Sequence, residues 1–284
     1  MSVTGGAAPA VRAASWPRWV WANVAWAVAL LVRAPRTAAK PRWPSYARIG
    51  ACAVASLVVI AGLMVFVDAW AIETALRLPR WVVVPFKEMT EFGKSGWILV
   101  PVGLGLVLVA ALASPALPRF TLLVIGTLAV RFAFLFTAIA APGLFVTVIK
   151  RLIGRSRPFA DGQVDSFLYL PLVVWRTDYA SLPSGHATNV FAALIAVGVI
   201  WPRLRGIMWA YALIIALSRV VVLAHYPSDV FAGAIVGAVG AWLARDWFAA
   251  RRLGFVIGVD GRVRTLPGPS FARIKRVARR LLAP

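Results

Sequence analysis

Six apolar runs, near 49–70, 97–117, 120–149, 184–202, 206–224 and 228–247, decide what this chain can fold into. About twenty apolar residues in a helix cross a bilayer's hydrocarbon core. Five of the runs are long by that measure and the sixth is slightly short. In lipid the backbone must satisfy its own hydrogen bonds, which a helix does. The runs therefore predict an all-α fold, a six-transmembrane-helix bundle. Composition agrees: 14% of residues are charged and 61% hydrophobic, where a soluble domain carries roughly 25% charged.

Only Pro118-Arg119 separates the second run from the third, which predicts a tight antiparallel hairpin. The third run would be about 45 Å long as a helix, against a core of about 30 Å. It must tilt, break at Pro142-Gly143, or project from the bilayer. Arg131 lies inside it; an intramembrane Arg is a functional candidate by default, but snorkelling or structural pairing is the favoured reading.

The flanks are basic. Residues 1–48 hold seven basic residues and no acid. Within them Trp19–Val32 is an apolar run of fourteen residues accompanied by Trp16, Trp21 and Trp26. It is too short to span and predicts an interfacial helix. A signal peptide with Arg12 and Arg18 as its basic start is the rival, opposed by Arg33, Arg36, Lys40 and Arg42 directly after the run. At the other end, residues 271–282 read as a basic amphipathic helix with apolar positions 271, 274, 277 and 281. The chain thus divides into a basic arm (1–48), a six-span domain (49–247) and a basic tail (248–284). Loop 73–96 is mildly amphipathic and is expected along the outer interface.

Thirty-one Lys and Arg against ten Asp and Glu give a net charge of +21. In so apolar a chain this points to anionic lipid at the basic termini, not to nucleic acid. The lone Cys52 excludes an intrachain disulfide and is expected to pack in the first span. Two histidines 39 residues apart and one cysteine are too few for a zinc site, so no metal is expected.

Charge also orients the bundle. The N-terminal arm, Arg119, Arg203, Arg205 and the tail from Arg245, with ten basic and two acidic residues, share one side. The opposite loops, 71–96 and 150–183, carry four basic against three acidic and five against three. The positive-inside rule places both termini in the cytoplasm.

Three clusters then meet on the outer face. The first is Lys150-Arg-Leu-Ile-Gly-Arg-Ser-Arg157-Pro158. Arg grips phosphate oxygens in pairs and Lys acts as a point charge. Pro158 disfavours a helical Arg157, so the chain should run extended and cross back over the site. Arg151 and Arg155 read as a snorkelling rim. The second cluster, Pro183-Ser184-Gly185-His186, opens the fourth span with Ser184 as candidate N-cap, a place suited to an anion. Gly185 would let the backbone approach a phosphate closely, and His186 could protonate a leaving oxygen. The third is Ser218-Arg219, His225 and Asp229. Asp229 is the only acid between Asp178 and Asp246. Accepting a proton from one nitrogen of His225 would satisfy it and free the other nitrogen as a nucleophile. An Arg219–Asp229 ion pair without catalysis is the bland reading, and it leaves both histidines unexplained.

These clusters resemble, in residues, spacing and order, the three-part signature of the type 2 phosphatidic acid phosphatase superfamily: Lys150-x6-Arg157-Pro158, Pro183-Ser184-Gly185-His186, and Ser218-Arg219-x5-His225-x3-Asp229. The motifs cover residues 150–229, and the six-span plan resembles the integral-membrane branch. The resemblance implies that His225 forms a phosphohistidine, oriented by Asp229, and that His186 protonates the leaving group. It implies that Lys150, Arg157, Ser184, Gly185 and Arg219 hold phosphoryl oxygens, without metal or other cofactor. The expected substrate is a lipid phosphate on the extracytoplasmic face of a bacterial inner membrane. Phosphatidic acid, phosphatidylglycerol phosphate, undecaprenyl pyrophosphate and lipid A phosphate are all candidates. A lipid phosphotransferase and a non-catalytic lipid-phosphate binder are the alternatives. The aromatics Phe159, Phe167, Tyr169, Trp175 and Tyr179 are candidate headgroup contacts or interface anchors.

Overall fold

The computed structural model describes residues 16–37, 39–114, 116–172 and 176–282. Arg12 and Trp175 lie outside the described residues. The helices are α1 (Trp16–Val32), α2 (Tyr46–Phe66), α3 (Asp68–Leu76), α4 (Arg80–Glu91), α5 (Ser95–Leu112), α6 (Arg119–Ile153), α7 (Gly185–Ile200), α8 (Arg205–Val221), α9 (Pro227–Ala250) and α10 (Phe271–Leu282). A two-stranded antiparallel hairpin, β1 (Phe255–Ile257) with β2 (Val263–Thr265), was not expected from an all-α reading.

Among the described residues, five helical stretches are long and apolar enough to cross a membrane: Tyr46–Phe66, Arg80–Leu112, Arg119–Ile153, Pro202–Val221 and Pro227–Ala250. The helix at the fourth expected span, α7, is apolar but has only 16 residues. Loop 73–96 proves to be mostly helical, as the end of α3 and the whole of α4, and α4 packs against α8.

The core lies where α6, α7 and α9 meet. Phe134 of α6 sets its ring 5.4 Å from Phe248 of α9 and 4.7 Å from Phe255 of β1, both edge-on. Ala192 and Ala196 of α7 and Ala241 of α9 fill the same cluster. Small residues let helix backbones approach closely. On α9, Gly233 and Gly237 lie one turn apart; a Cβ at Gly233 would overlap the carbonyl of Ser184, just before α7, and one at Gly237 the Thr188 carbonyl of α7. This close approach bears on the site, because both helices start there. By contrast α2 has no buried residue, and Val54, Leu57, Val58 and Phe66 face outward, as a lipid-facing helix would.

The long α6 runs unbroken through Pro142. Its first half is sheathed instead: the hairpin packs near Phe134, and α10 seats Ile274, Val277 and Leu281 against Val109, Val124 and Ile125. Phe271, grouped with that apolar face in the sequence reading, is 80% exposed. Arg131 donates from Nη2 to the Leu266 carbonyl at 2.9 Å and lies against Gly268, so it ties the C-terminal segment to α6. Structural pairing accounts for it.

Candidate active site

The first cluster begins at the end of α6. Gly154 ends the helix in the left-handed conformation, φ 66°, and donates to the Lys150 carbonyl. Only glycine adopts that conformation without strain, and a Cβ there would overlap the Leu170 backbone. The chain then runs extended: Ser156 N–H donates to Leu168 O at 2.9 Å and Arg157 N–H to Asp178 O at 2.7 Å. Loop 154–184 is thereby laid back across the helix ends.

The extended path turns Arg155 inward, which corrects its reading as a snorkelling rim residue. Arg155 is fully buried. It donates from Nη1 to Asp229 Oδ1 at 2.5 Å and to Ser228 Oγ at 2.7 Å, and from Nη2 to Asp68 Oδ2 at 2.7 Å. Its Nε donates to the Ser166 carbonyl, and its guanidinium lies 4.6 Å from the Tyr226 ring centroid. Asp68, at the start of α3, also accepts from Ser228 N–H and Oγ–H. Two carboxylates and one guanidinium, all fully buried, form the floor of the site.

On that floor stands the third cluster. Asp229 closes the first turn of α9 by accepting from Tyr226 N–H at 3.0 Å. Its Oδ2 lies 3.6 Å from His225 Nδ1, beyond hydrogen-bond length. The expected direct bond is replaced by a bridge: Ser181 Oγ donates to Asp229 Oδ2 at 2.6 Å and lies 3.3 Å from His225 Nδ1. A hydroxyl can accept from Nδ1–H while donating to the carboxylate. No described residue hydrogen-bonds Nε2 of His225. The His225 pKa is pushed down to about 4, first by burial, with Asp229 opposing and the Arg219 and Arg157 charges adding. The imidazole is therefore neutral near pH 7 and holds a free lone pair.

The second cluster faces it. Ser184 is the residue before α7, fully buried; its N–H donates to the Asp229 carbonyl at 3.0 Å, and its Oγ has no partner among the described residues and does not cap the helix. The first-turn N–H groups of a helix have no intrahelical partner. A Cβ at Gly185 would meet only open space, so the helix start is uncovered there. His186 is half-buried, and the charges of Arg219, Lys94 and Arg157 bear on it together with the His225 ring.

Lys150 and Arg157, both half-buried, and Arg219, in the last turn of α8, complete the set. None of the three forms an ion pair among the described residues. Arg157 and Arg219 each have a buried Nε without a partner among the described residues. The division is clear: Arg155 is neutralised by two carboxylates, while three other cations remain for an external anion. All eight residues singled out in the sequence thus lie on the facing ends of α6, α7, α8 and α9 and the loops that join them. Sequence reasoning missed Asp68, Arg155, Ser181 and Ser228. A buried carboxylate costs heavily unless paired, so Asp68 at the end of an apolar run was the available signal.

Of the aromatics in loop 154–184, Phe167 is exposed, whereas Tyr179 turns inward and donates to Asp161 Oδ2 at 2.6 Å.

A known family pattern, that of the PAP2 superfamily, matches residues 131–253, which hold all three clusters. A decaprenylphosphoryl-5-phosphoribose phosphatase of Mycobacterium tuberculosis is 32% identical over 181 residues, 60% of this chain and 84% of that protein. The chain belongs to the PAP2 superfamily. A lipid A 1-phosphatase of Rhizobium johnstonii is 38% identical over 129 residues, 45% of this chain. That match spans about half, 52%, of the Rhizobium protein. The crystal structure of a transmembrane PAP2-type phosphatidylglycerolphosphate phosphatase from Bacillus subtilis aligns with a TM-score of 0.46 at 20% identity, over 67% of this chain and 92% of that one.

Proposed function

We propose that this protein is an integral-membrane lipid phosphatase that hydrolyses a phosphate monoester or pyrophosphate through a phosphohistidine. The observation that carries the reading is the pairing of a neutral, buried His225, backed on Nδ1 by Ser181 and Asp229, with three cations that form no ion pair among the described residues. Lys150, Arg157 and Arg219, with the Ser184 hydroxyl and the open backbone at Gly185, hold the phosphoryl oxygens. His225 Nε2 attacks phosphorus as the bond to the leaving oxygen breaks. His186 gives that oxygen its proton. Water then attacks the phosphohistidine, His186 takes the water's proton, and the P–N bond breaks to release phosphate. The unpaired cations stabilise the charge on the transferring group.

Helices α2, α5, α6, α7, α8 and α9 are assigned as six spans, with α7 the shortest. The basic arm (1–48) and tail (248–284) lie on the cytoplasmic side against anionic lipid, and the site opens on the outer face of a bacterial inner membrane. The named relatives favour a phosphate on a large lipid, of the lipid A 1-phosphate or polyprenyl phosphoribose phosphate kind.

The test is phosphate release by the purified, detergent-solubilised protein from a panel holding both of those lipids, phosphatidic acid and phosphatidylglycerol phosphate, with EDTA present. Release from at least one, abolished in His225→Ala, is the expected result. Wild-type release that continues in a folded His225→Ala variant, or no release from any lipid, counts against the proposal.

A further inference from the structure

The turn that ends α4 forms a wall of the site that none of the three clusters contains. Thr90, in the last turn of α4, is buried, and its Oγ1 accepts from Arg219 Nη1 at 2.6 Å. That is the only side-chain hydrogen bond made by Arg219 among the described residues. Three residues on, Gly93 faces His186: a Cβ at Gly93 would stand 2.8 Å from His186 Cδ2 and 2.5 Å from Ile215 Cγ2. Real Cβ contacts are never so short, so the imidazole sits where it does because position 93 has no side chain. The turn is itself held in place. Gly93 N–H donates to Thr90 O at 2.9 Å, Tyr211 Oη donates to Phe92 O at 2.8 Å, and Asn189 Nδ2 reaches Gly93 O at 3.5 Å.

We infer that Thr90 and Gly93 are positioning residues for the two halves of the reaction, Thr90 for the phosphate-holding Arg219 and Gly93 for the proton-donating His186. The inference rests on the phosphatase reading and adds a division of labour to it. An Arg whose Nη1 is anchored presents its remaining N–H groups in a fixed direction, so little side-chain freedom is lost when an anion binds. A histidine backed by bare backbone has its ring plane set by close packing. The two positions should therefore fail in different ways: loss at Thr90 weakens grip on the phosphoryl group, and bulk at Gly93 misplaces the proton.

The experiment uses full-length protein in detergent and two substrates: p-nitrophenyl phosphate, whose leaving group departs without a proton, and an alkyl lipid phosphate, whose alkoxide needs one. Orthovanadate serves as the phosphate mimic for inhibition. Thr90→Val, which keeps the shape and removes the acceptor, is expected to raise the vanadate inhibition constant and KM roughly tenfold with both substrates. Thr90→Ser should restore the wild-type values. In rapid-mixing kinetics, Gly93→Ala is expected to slow phosphoryl transfer from the lipid phosphate to the protein roughly tenfold or more while leaving the initial p-nitrophenol burst rate nearly unchanged; steady-state turnover, in which His186 also takes the water's proton, falls with both substrates. Equal losses in that first transfer step with both substrates in a folded Gly93→Ala protein, or vanadate inhibition unchanged in Thr90→Val, would overturn the inference. If Gly93→Ala does not fold, the Thr90→Val and Thr90→Ser pair alone decides it. A wild-type protein inactive on both substrates would instead be the failure of the phosphatase reading.

Discussion

Asp68 and Arg155 are 87 positions apart in the chain and 2.7 Å apart in the fold, and neither has any exposed side-chain surface. With Asp229 on the other arm of the guanidinium, the pair ties the start of α3 and the loop after α6 to the first turn of α9. A buried ion pair adds little net stability, but removing one partner strands a buried charge at a cost of about 3–5 kcal/mol. Arg155→Met strands two carboxylates. It is expected to lower the thermal midpoint in detergent sharply and to remove activity with it. Asp68→Asn, which keeps a hydrogen-bonding side chain, should be milder on both counts.

Ser181 offers a subtler change. Its hydroxyl gives Asp229 one of its hydrogen bonds and is the group nearest to His225 Nδ1. Ser181→Ala should leave the fold intact and lower kcat, because the imidazole loses the group that fixes its tautomer. Losing one such buried bond costs about 1–3 kcal/mol, or roughly 5- to 150-fold in rate. Steady-state kinetics beside a thermal melt would separate the two effects.

The pH profile carries its own sign. An ordinary histidine titrates near 6.5, whereas burial holds His225 near 4. Between those values the unfolded chain binds the extra proton and the folded protein does not. This group's stability contribution is therefore present above about 6.5 and is lost as pH falls toward 4. In activity, the limb of kcat/KM set by His225 should fall near pH 4 and not near 6.5. Kinetics in buffers from pH 3.5 to 8, with melts at each pH, checks both statements.

Gly237 tests the packing that brings the halves of the site together. A side chain there meets the Thr188 carbonyl of α7, and α9 cannot move away without straining the Ser184-to-Asp229 backbone bond. Gly237→Val is expected to destabilise the protein by about 1–3 kcal/mol. Gly62, on α2, with no atom within 4 Å of its would-be Cβ, should tolerate the same change. Parallel melts of the two variants give the comparison.

Much of this was legible in the chain. Both histidines, Asp229 and the three free cations could be named because each sits at the edge of an apolar run, and the helices follow those runs to within a few residues. Arg155 was not legible. In a series of four cations at a helix end, nothing local distinguishes a rim residue from a buried one; its partners come from residues 68 and 229. Ser181 escaped notice because its role depends on how loop 154–184 folds back. The hairpin had a local signal, Asp260-Gly261 between short β-branched segments, but strands of three residues carry too little alternation to stand out from a loop. At Pro142, packing against Gly240 of α9 accompanies an unbroken helix, and tertiary contact of that kind is invisible to a reading of proline as a breaker.

The most direct measurement is to trap the intermediate. Protein incubated with a lipid substrate labelled in its terminal phosphate would be quenched in alkali, where a phosphohistidine survives, then digested and mapped. The account predicts label on the peptide holding His225, lost on mild acid treatment and absent from His225→Ala. Label on another residue, or turnover in His225→Ala at the wild-type rate, would contradict it.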